Sequence, residues 1–147
     1  MTILALVRHG RTEWNAQNRM QGQTDIPLSE AGFEEIRAAV GAALNPKLAG
    51  MYWVTSPLKR ARTTAGLLCG FAPPVEPRLM EMNWGNWEGQ TLSEIRADQG
   101  EALQANEDKG LDFRPVGGES PREVQQRMAS WMQEITGTRP AIAAVCH

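Results

Sequence analysis

The 147 residues fit one domain, and 41% hydrophobic with 22% charged residues is ordinary globular usage that excludes disorder and fibrous repeats. Fifteen Lys plus Arg against seventeen Asp plus Glu give a formal charge of -2, without the basic footprint of a nucleic-acid binder. The first apolar run stops at Arg8, too short for a signal-peptide core or a membrane span, so a cytoplasmic setting without membrane contact is expected.

Ile3 to Val7 reads as a strand. Ser29 caps a predicted helix running to about Leu44, where Asn45-Pro46 stops it. Met51 to Val54 is a second strand, and Ser56-Pro57 opens a second helix whose face carries Leu58, Ala61, Ala65 and Leu68 before Gly70 closes it. Thr91 with Glu94, and Ser120 with Glu123, have capping-box spacing, the latter helix running from Pro121 to about Ile135. Ala141 to Val145 is a third strand. Unalternating apolar strands separated by helices predict an α/β fold, a three-layer α/β/α sandwich with a mostly parallel sheet.

Ligands of such folds gather at the carboxyl ends of the strands. Here those ends carry Arg8-His9-Gly10, Thr55-Ser56-Pro57 with Arg60 one turn on, and Cys146-His147; His9 and His147 are the chain's two histidines. If the strands are neighbours, two imidazoles and two guanidinium groups meet beside a helix amino end, a place suited to a phosphate. A neutral His9 can attack phosphorus while Arg8, Arg60 and His147, protonated or hydrogen bonding, stabilise the oxygens; this chemistry requires neither metal nor cofactor. Among residues 78–89, Glu81 is the candidate proton donor, because a carboxyl near a phosphate and screened by aromatic rings favours its neutral form.

Several readings are plainer. Lys59 and Arg62 read as helix-surface charges, and Trp84 and Trp87 as packing residues. Asn15 alone could be a turn residue. Cys69 and Cys146 are expected to be buried small apolar residues, their spacing supporting neither disulfide nor zinc knuckle. A Cys146 nucleophile is disfavoured because adjacent residues on a strand point to opposite faces. Two isolated histidines offer no metal-ligand spacing.

Leu6 to Asn15, with Arg8-His9-Gly10 at its centre, resembles the signature of the histidine phosphatase superfamily, which includes cofactor-dependent phosphoglycerate mutases and α-ribazole phosphatases. Gly22 to Leu28 with Gly32, Ser56 to Ala65, Glu81 to Gly89, Gly117 to Ser120 and His147 resemble its further blocks in order. The resemblance implies a phosphoglycerate mutase-like fold, a phosphohistidine on His9, a phosphate pocket of Arg8, Arg60 and His147 completed by Asn15, and Glu81 as proton donor. It also implies that Gln21 and Gly22 lie near the substrate.

In the family the second histidine is followed by a turn, a helix and a strand, whereas residues 1–147 form a single domain that stops at His147. A truncated domain is therefore expected, with apolar surface exposed on the last strand or filled by a partner. Glu81-Met82-Asn83-Trp84-Gly85 and the short stretch from Gly89 to Gly117 differ from the mutase branch. The resemblance thus implies hydrolysis of a small phosphorylated metabolite. Mutase-type phosphotransfer and a phosphate-binding module without turnover are the alternatives; a homo-oligomer is compatible with either.

Overall fold

The computed structural model describes residues 2–40, 46 and 48–147. Its sheet has three parallel strands, β1 (Ile3–Arg8), β2 (Tyr52–Thr55) and β3 (Ala141–Cys146), in the order β1-β3-β2. The strand from the end of the chain is thus inserted between the other two. Leu6 and Val54 both pair with Ala144, and Val7 and Thr55 with Val145. The pairing continues beyond the strands: His9 N donates to Cys146 O at 3.1 Å and Ser56 N to Val145 O at 2.9 Å. These two bonds hold the three functional strand ends side by side.

Five α-helices are described: α1 (Glu13–Ala16), α2 (Glu30–Val40), α3 (Lys59–Cys69), α4 (Leu92–Glu107) and α5 (Pro121–Ile135). On one side of the sheet, Ala61 and Ala65 of α3 are fully buried with Trp53, Ala143 and Val145. Alanines there let the helix backbone approach the sheet closely. On the other side, Trp131 of α5 packs with Leu79, Ile142 and Ala144, each large side chain contributing about 1.5–3 kcal/mol through burial. The three-layer expectation is met. A third cluster, Trp87, Ile95 and Leu103 with Phe113, supports the segment that carries Glu81.

The capping signals act as expected: Thr91 and Glu94, and Ser120 and Glu123, form complete capping boxes, and Ser29 Oγ accepts from Gly32 N. The expected end of α2 near Leu44 lies outside the described residues. Helix α3 begins at Lys59 rather than Pro57, because Leu58 is still extended and serves as its N-cap. The exposed apolar surface also falls elsewhere than expected. Ile142 to Val145 of the last strand are buried at the sheet centre, whereas edge strand β1 leaves Ile3 55% and Leu6 60% exposed. No described helix is long and apolar enough to cross a membrane.

Candidate active site

The loop after β1 is shaped by close backbone approach. A Cβ on Gly32 of α2 would lie 2.1 Å from Arg11 O, and one on Gly10 would lie 2.9 Å from Ile36 Cγ1. Glycine at both positions lets α2 pack on this loop. Gly10 N donates to Thr64 Oγ1 at 2.9 Å, and that hydroxyl donates to Arg60 O at 2.7 Å, tying the loop to α3.

His9 and His147 meet with ring centroids 5.0 Å apart and planes tilted by 54°. His9 is buried, and its Nδ1 lies 2.7 Å from Gly10 O. A carbonyl can only accept, so Nδ1 carries the proton and Nε2 holds the free lone pair. Burial, with the charges of Arg60 and Arg8 adding to it, lowers the His9 pKa to about 4. Burial and the charges of Arg60, His9, Arg127 and Arg8 lower that of His147 to about 3. Both shifts favour the neutral form of the rings.

Ser56, fully buried at the end of β2, was missed as a functional residue in the sequence. Its hydroxyl lies 2.9 Å from His147 Nε2 and accepts from Leu58 N at 3.4 Å. When the hydroxyl donates to Nε2, the neutral ring must carry its proton on Nδ1. That tautomer presents an N–H to an anion.

Arg60 is fully buried, but most of its guanidinium is already engaged. Nη1 donates to Thr24 O at 2.9 Å, and Nη2 to Gly22 O at 2.6 Å and to Glu81 Oε2 at 2.8 Å. Its Nε, like His147 Nδ1, is buried without a partner among the described residues. Gly22 thus acts through Arg60; it does not border the cavity. Its φ of 55° favours glycine, and a Cβ there would lie 2.1 Å from Glu88 Oε1, so that the carboxylate would have to shift.

Glu81 follows a 3-10 turn at Pro77–Leu79. Its Oε2 lies 3.6 Å from His147 Nδ1, and its Oε1 accepts from Trp84 Nε1 at 3.2 Å. Trp84 therefore does more than pack, while Trp87 is buried and stacked on Phe113 as expected of a packing residue. Two further side chains that sequence reading passed over hold this segment. Arg127 of α5 donates to Arg78 O at 2.5 Å and Glu81 O at 3.2 Å while paired with Glu119. Glu88 accepts from Trp84 N at 3.2 Å and from Gln23 N and Thr24 N, each at 2.9 Å. It joins the Glu81 loop to the Gly22 loop.

Above these groups lies a cavity of about 430 Å³, bordered by Arg8, His9, Asn15, Gln21, Glu81 and His147. Exposed Arg8 has no ion-pair or hydrogen-bond partner among the described residues, which leaves its charge available. Asn15 Oδ1 accepts from Thr12 N at 3.0 Å, and its amide NH₂ remains as a donor. Gln21 is buried and accepts from Thr12 Oγ1 at 2.8 Å. Cys69 and Cys146 are half-buried, less enclosed than expected. Cys146 borders the same cavity as His147 despite their adjacency, but burial pushes its thiol pKa up and away from thiolate chemistry. Lys59 and Arg62 are exposed as expected, with Lys59 Nζ 3.7 Å from Asp25.

Comparison with known proteins identifies the family. The model of the histidine phosphatase superfamily (branch 1) matches residues 4–147. The chain is 37% identical over 141 residues to a glucosyl-3-phosphoglycerate phosphatase of Mycobacterium tuberculosis, covering 93% of this chain and 61% of that protein. It is 33% identical to a probable phosphoglycerate mutase, GpmB, of Escherichia fergusonii, covering 98% of this chain and 69% of that one. A structure of the mycobacterial glucosyl-3-phosphoglycerate phosphatase complexed with VO3 superposes with a TM-score of 0.85 at 33% identity, over 98% of this chain and 75% of that one. A putative α-ribazole-5'-P phosphatase of Escherichia coli, at 24% identity, shares the fold with a TM-score of 0.88, over 100% of this chain and 74% of that one. The chain belongs to the histidine phosphatase superfamily.

Proposed function

We propose that the chain hydrolyses the phosphomonoester of a small cytoplasmic metabolite through a phosphohistidine on His9. The observation that carries this reading is the meeting of the His9 and His147 rings, centroids 5.0 Å apart, at a cavity that Arg8 also borders, with His147 Nδ1 buried and unpartnered. An orphaned buried polar atom costs about 1–3 kcal/mol. A bound phosphoryl group would satisfy His147 Nδ1.

His9 Nε2 attacks phosphorus and forms the N–P bond as the bond to the ester oxygen breaks. The departing oxygen takes a proton from Glu81, acting as general acid. Arg8, the Arg60 Nε–H and the His147 Nδ1–H hold the equatorial oxygens. Glu81 then removes a proton from water, whose oxygen attacks phosphorus, and the N–P electrons return to His9. The alcohol and inorganic phosphate are released.

The remainder of the cavity is bordered by Met20, Met80, Met82 and Met128 with Leu6, Leu79, Val124 and Cys146, and by one further charged residue, Arg19. Flexible thioethers on an aliphatic wall favour a substrate with an apolar portion beyond its phosphate. Phosphate release from a panel of phosphorylated metabolites tests the proposal, with the parent and His9→Ala compared. Release by the parent alone is expected. Interconversion of phosphoglycerates without release would support the mutase reading, and saturable phosphate binding without turnover the binding-module reading.

A further inference from the structure

We infer that the same cleft is a site for a divalent transition-metal ion of the Zn²⁺ class, ligated by His9 Nε2, His147 Nδ1 and a Glu81 carboxylate oxygen, and that bound metal blocks phosphate.

The separation of the two histidines in sequence hides this set, but the fold assembles it: one ligand atom from each of the three residues lies within 4.8 Å of the others. Tetrahedral zinc with bonds of about 2.0–2.1 Å places its ligand atoms roughly 3.3–3.4 Å apart. His147 Nδ1 and Glu81 Oε2, at 3.6 Å, are already close to that spacing. The spread of up to 4.8 Å must close by about 1.4 Å, through rotation of Glu81, the least enclosed of the three, and small shifts of the two rings.

The outer contacts also suit a metal. Metal-binding imidazoles are oriented by a hydrogen bond at the other ring nitrogen; His9 has Gly10 O at 2.7 Å, and His147 has Ser56 Oγ at 2.9 Å. The Ser56 hydroxyl can accept from Nε2–H as readily as donate, freeing the Nδ1 lone pair for a metal. Glu81 can retain Arg60 and Trp84 as donors while ligating through another lone pair. Buried His147 Nδ1 has no partner of its own, and the cavity leaves room for water at a fourth position. Two imidazoles with one carboxylate select Zn²⁺, Co²⁺ or Ni²⁺ over Mg²⁺ and Ca²⁺.

Arg60 and Arg8 oppose a cation. Arg60 is offset by its pairing with Glu81, Arg127, whose charge also acts on His147, by its pairing with Glu119, and Arg8 is solvated, so binding weaker than at a dedicated zinc site is expected. Exclusion of phosphate follows from shared atoms: the metal occupies the lone pair with which His9 would attack and the nitrogen with which His147 would donate.

The test is titration of tag-free protein with Co²⁺, read by its visible absorption, followed by displacement with Zn²⁺. A four-coordinate Co²⁺ spectrum is expected, with affinity lowered at least about tenfold in His147→Ala and in the isosteric Glu81→Gln. Cys146→Ser should bind as the parent does, showing that the neighbouring thiol is not a ligand. Millimolar inorganic phosphate should raise the apparent dissociation constant. An unchanged six-coordinate spectrum, parental affinity in both ligand variants, or indifference to phosphate would overturn the inference. Because metal is read directly, this result is separable from whether His9 becomes phosphorylated.

Discussion

The Ser56 hydroxyl lies 2.9 Å from His147 Nε2 and holds the ring at that nitrogen, leaving Nδ1 for the phosphate seat. Ser56 touches no reacting atom in the proposed reaction; it is a positioning residue. Ser56→Ala should lower kcat by about 10–100-fold, somewhat less than removal of an oxyanion donor itself, with a smaller change in KM. ¹⁵N spectra of the phosphate-bound protein should show the Nδ1–H tautomer of His147 in the parent and a mixture in the variant. An unchanged tautomer would assign Ser56 to packing alone.

The two histidines should also govern acid sensitivity. Arg60, Arg8, Arg127 and Glu81 are the charged groups around them, and burial with the arginine charges places His9 at about 4 and His147 at about 3. In the unfolded chain both titrate near about 6.5. As pH falls the unfolded state takes up protons first, so stability is complete above about 6.5 and is lost towards pH 4 and 3. Denaturant unfolding should show lower stability at pH 5 than at pH 7.5, by an amount on the order of a few kcal/mol. His9→Gln should remove roughly half of that difference. Equal stability at the two pH values would show that the rings titrate normally.

Arg127 and Glu81 should separate by leaving group. Glu81→Gln removes the proton donor, so turnover of an alkyl phosphate should fall by about 10²–10⁴-fold, while an aryl phosphate with an acidic phenol suffers far less. Arg127→Ala loosens the Glu81 carbonyl and the Glu119 contact, and should show the same selectivity at about tenfold, with about 1–3 kcal/mol lost in stability. Equal losses on both substrates would place Arg127 in general stability.

Gly22→Ala should be more damaging than an ordinary loop substitution. Its Cβ would meet the Glu88 carboxylate at a backbone conformation alanine rarely adopts, and the Gly22 carbonyl anchors Arg60. Lower melting temperature with weakened phosphate affinity is expected. Intact phosphate affinity would show that Arg60 is held without this loop.

The strands, the capping boxes and the convergence of Arg8, His9, Arg60 and His147 were legible in the sequence because each follows from a local signal or from the strand-end rule. The insertion of β3 between β1 and β2 was not, since nothing local in Ala141 to Cys146 encodes neighbours. Consequently the exposed apolar surface was expected on the wrong strand. Ser56, Glu88 and Arg127 were passed over for a related reason: their partners lie at distant positions in the chain, visible only after folding. His9, Glu81 and His147 were already expected at one site, but their separation in the chain hid any metal-ligand spacing.

Trapping of the covalent intermediate tests the central claim most directly. Rapid mixing with a phosphomonoester that turns over, then denaturation and mass analysis, should find one added phosphoryl group on His9, labile in acid and stable in base, and absent from His9→Ala. Turnover by His9→Ala at the parental rate, or a phosphoryl group on any other residue, would contradict it.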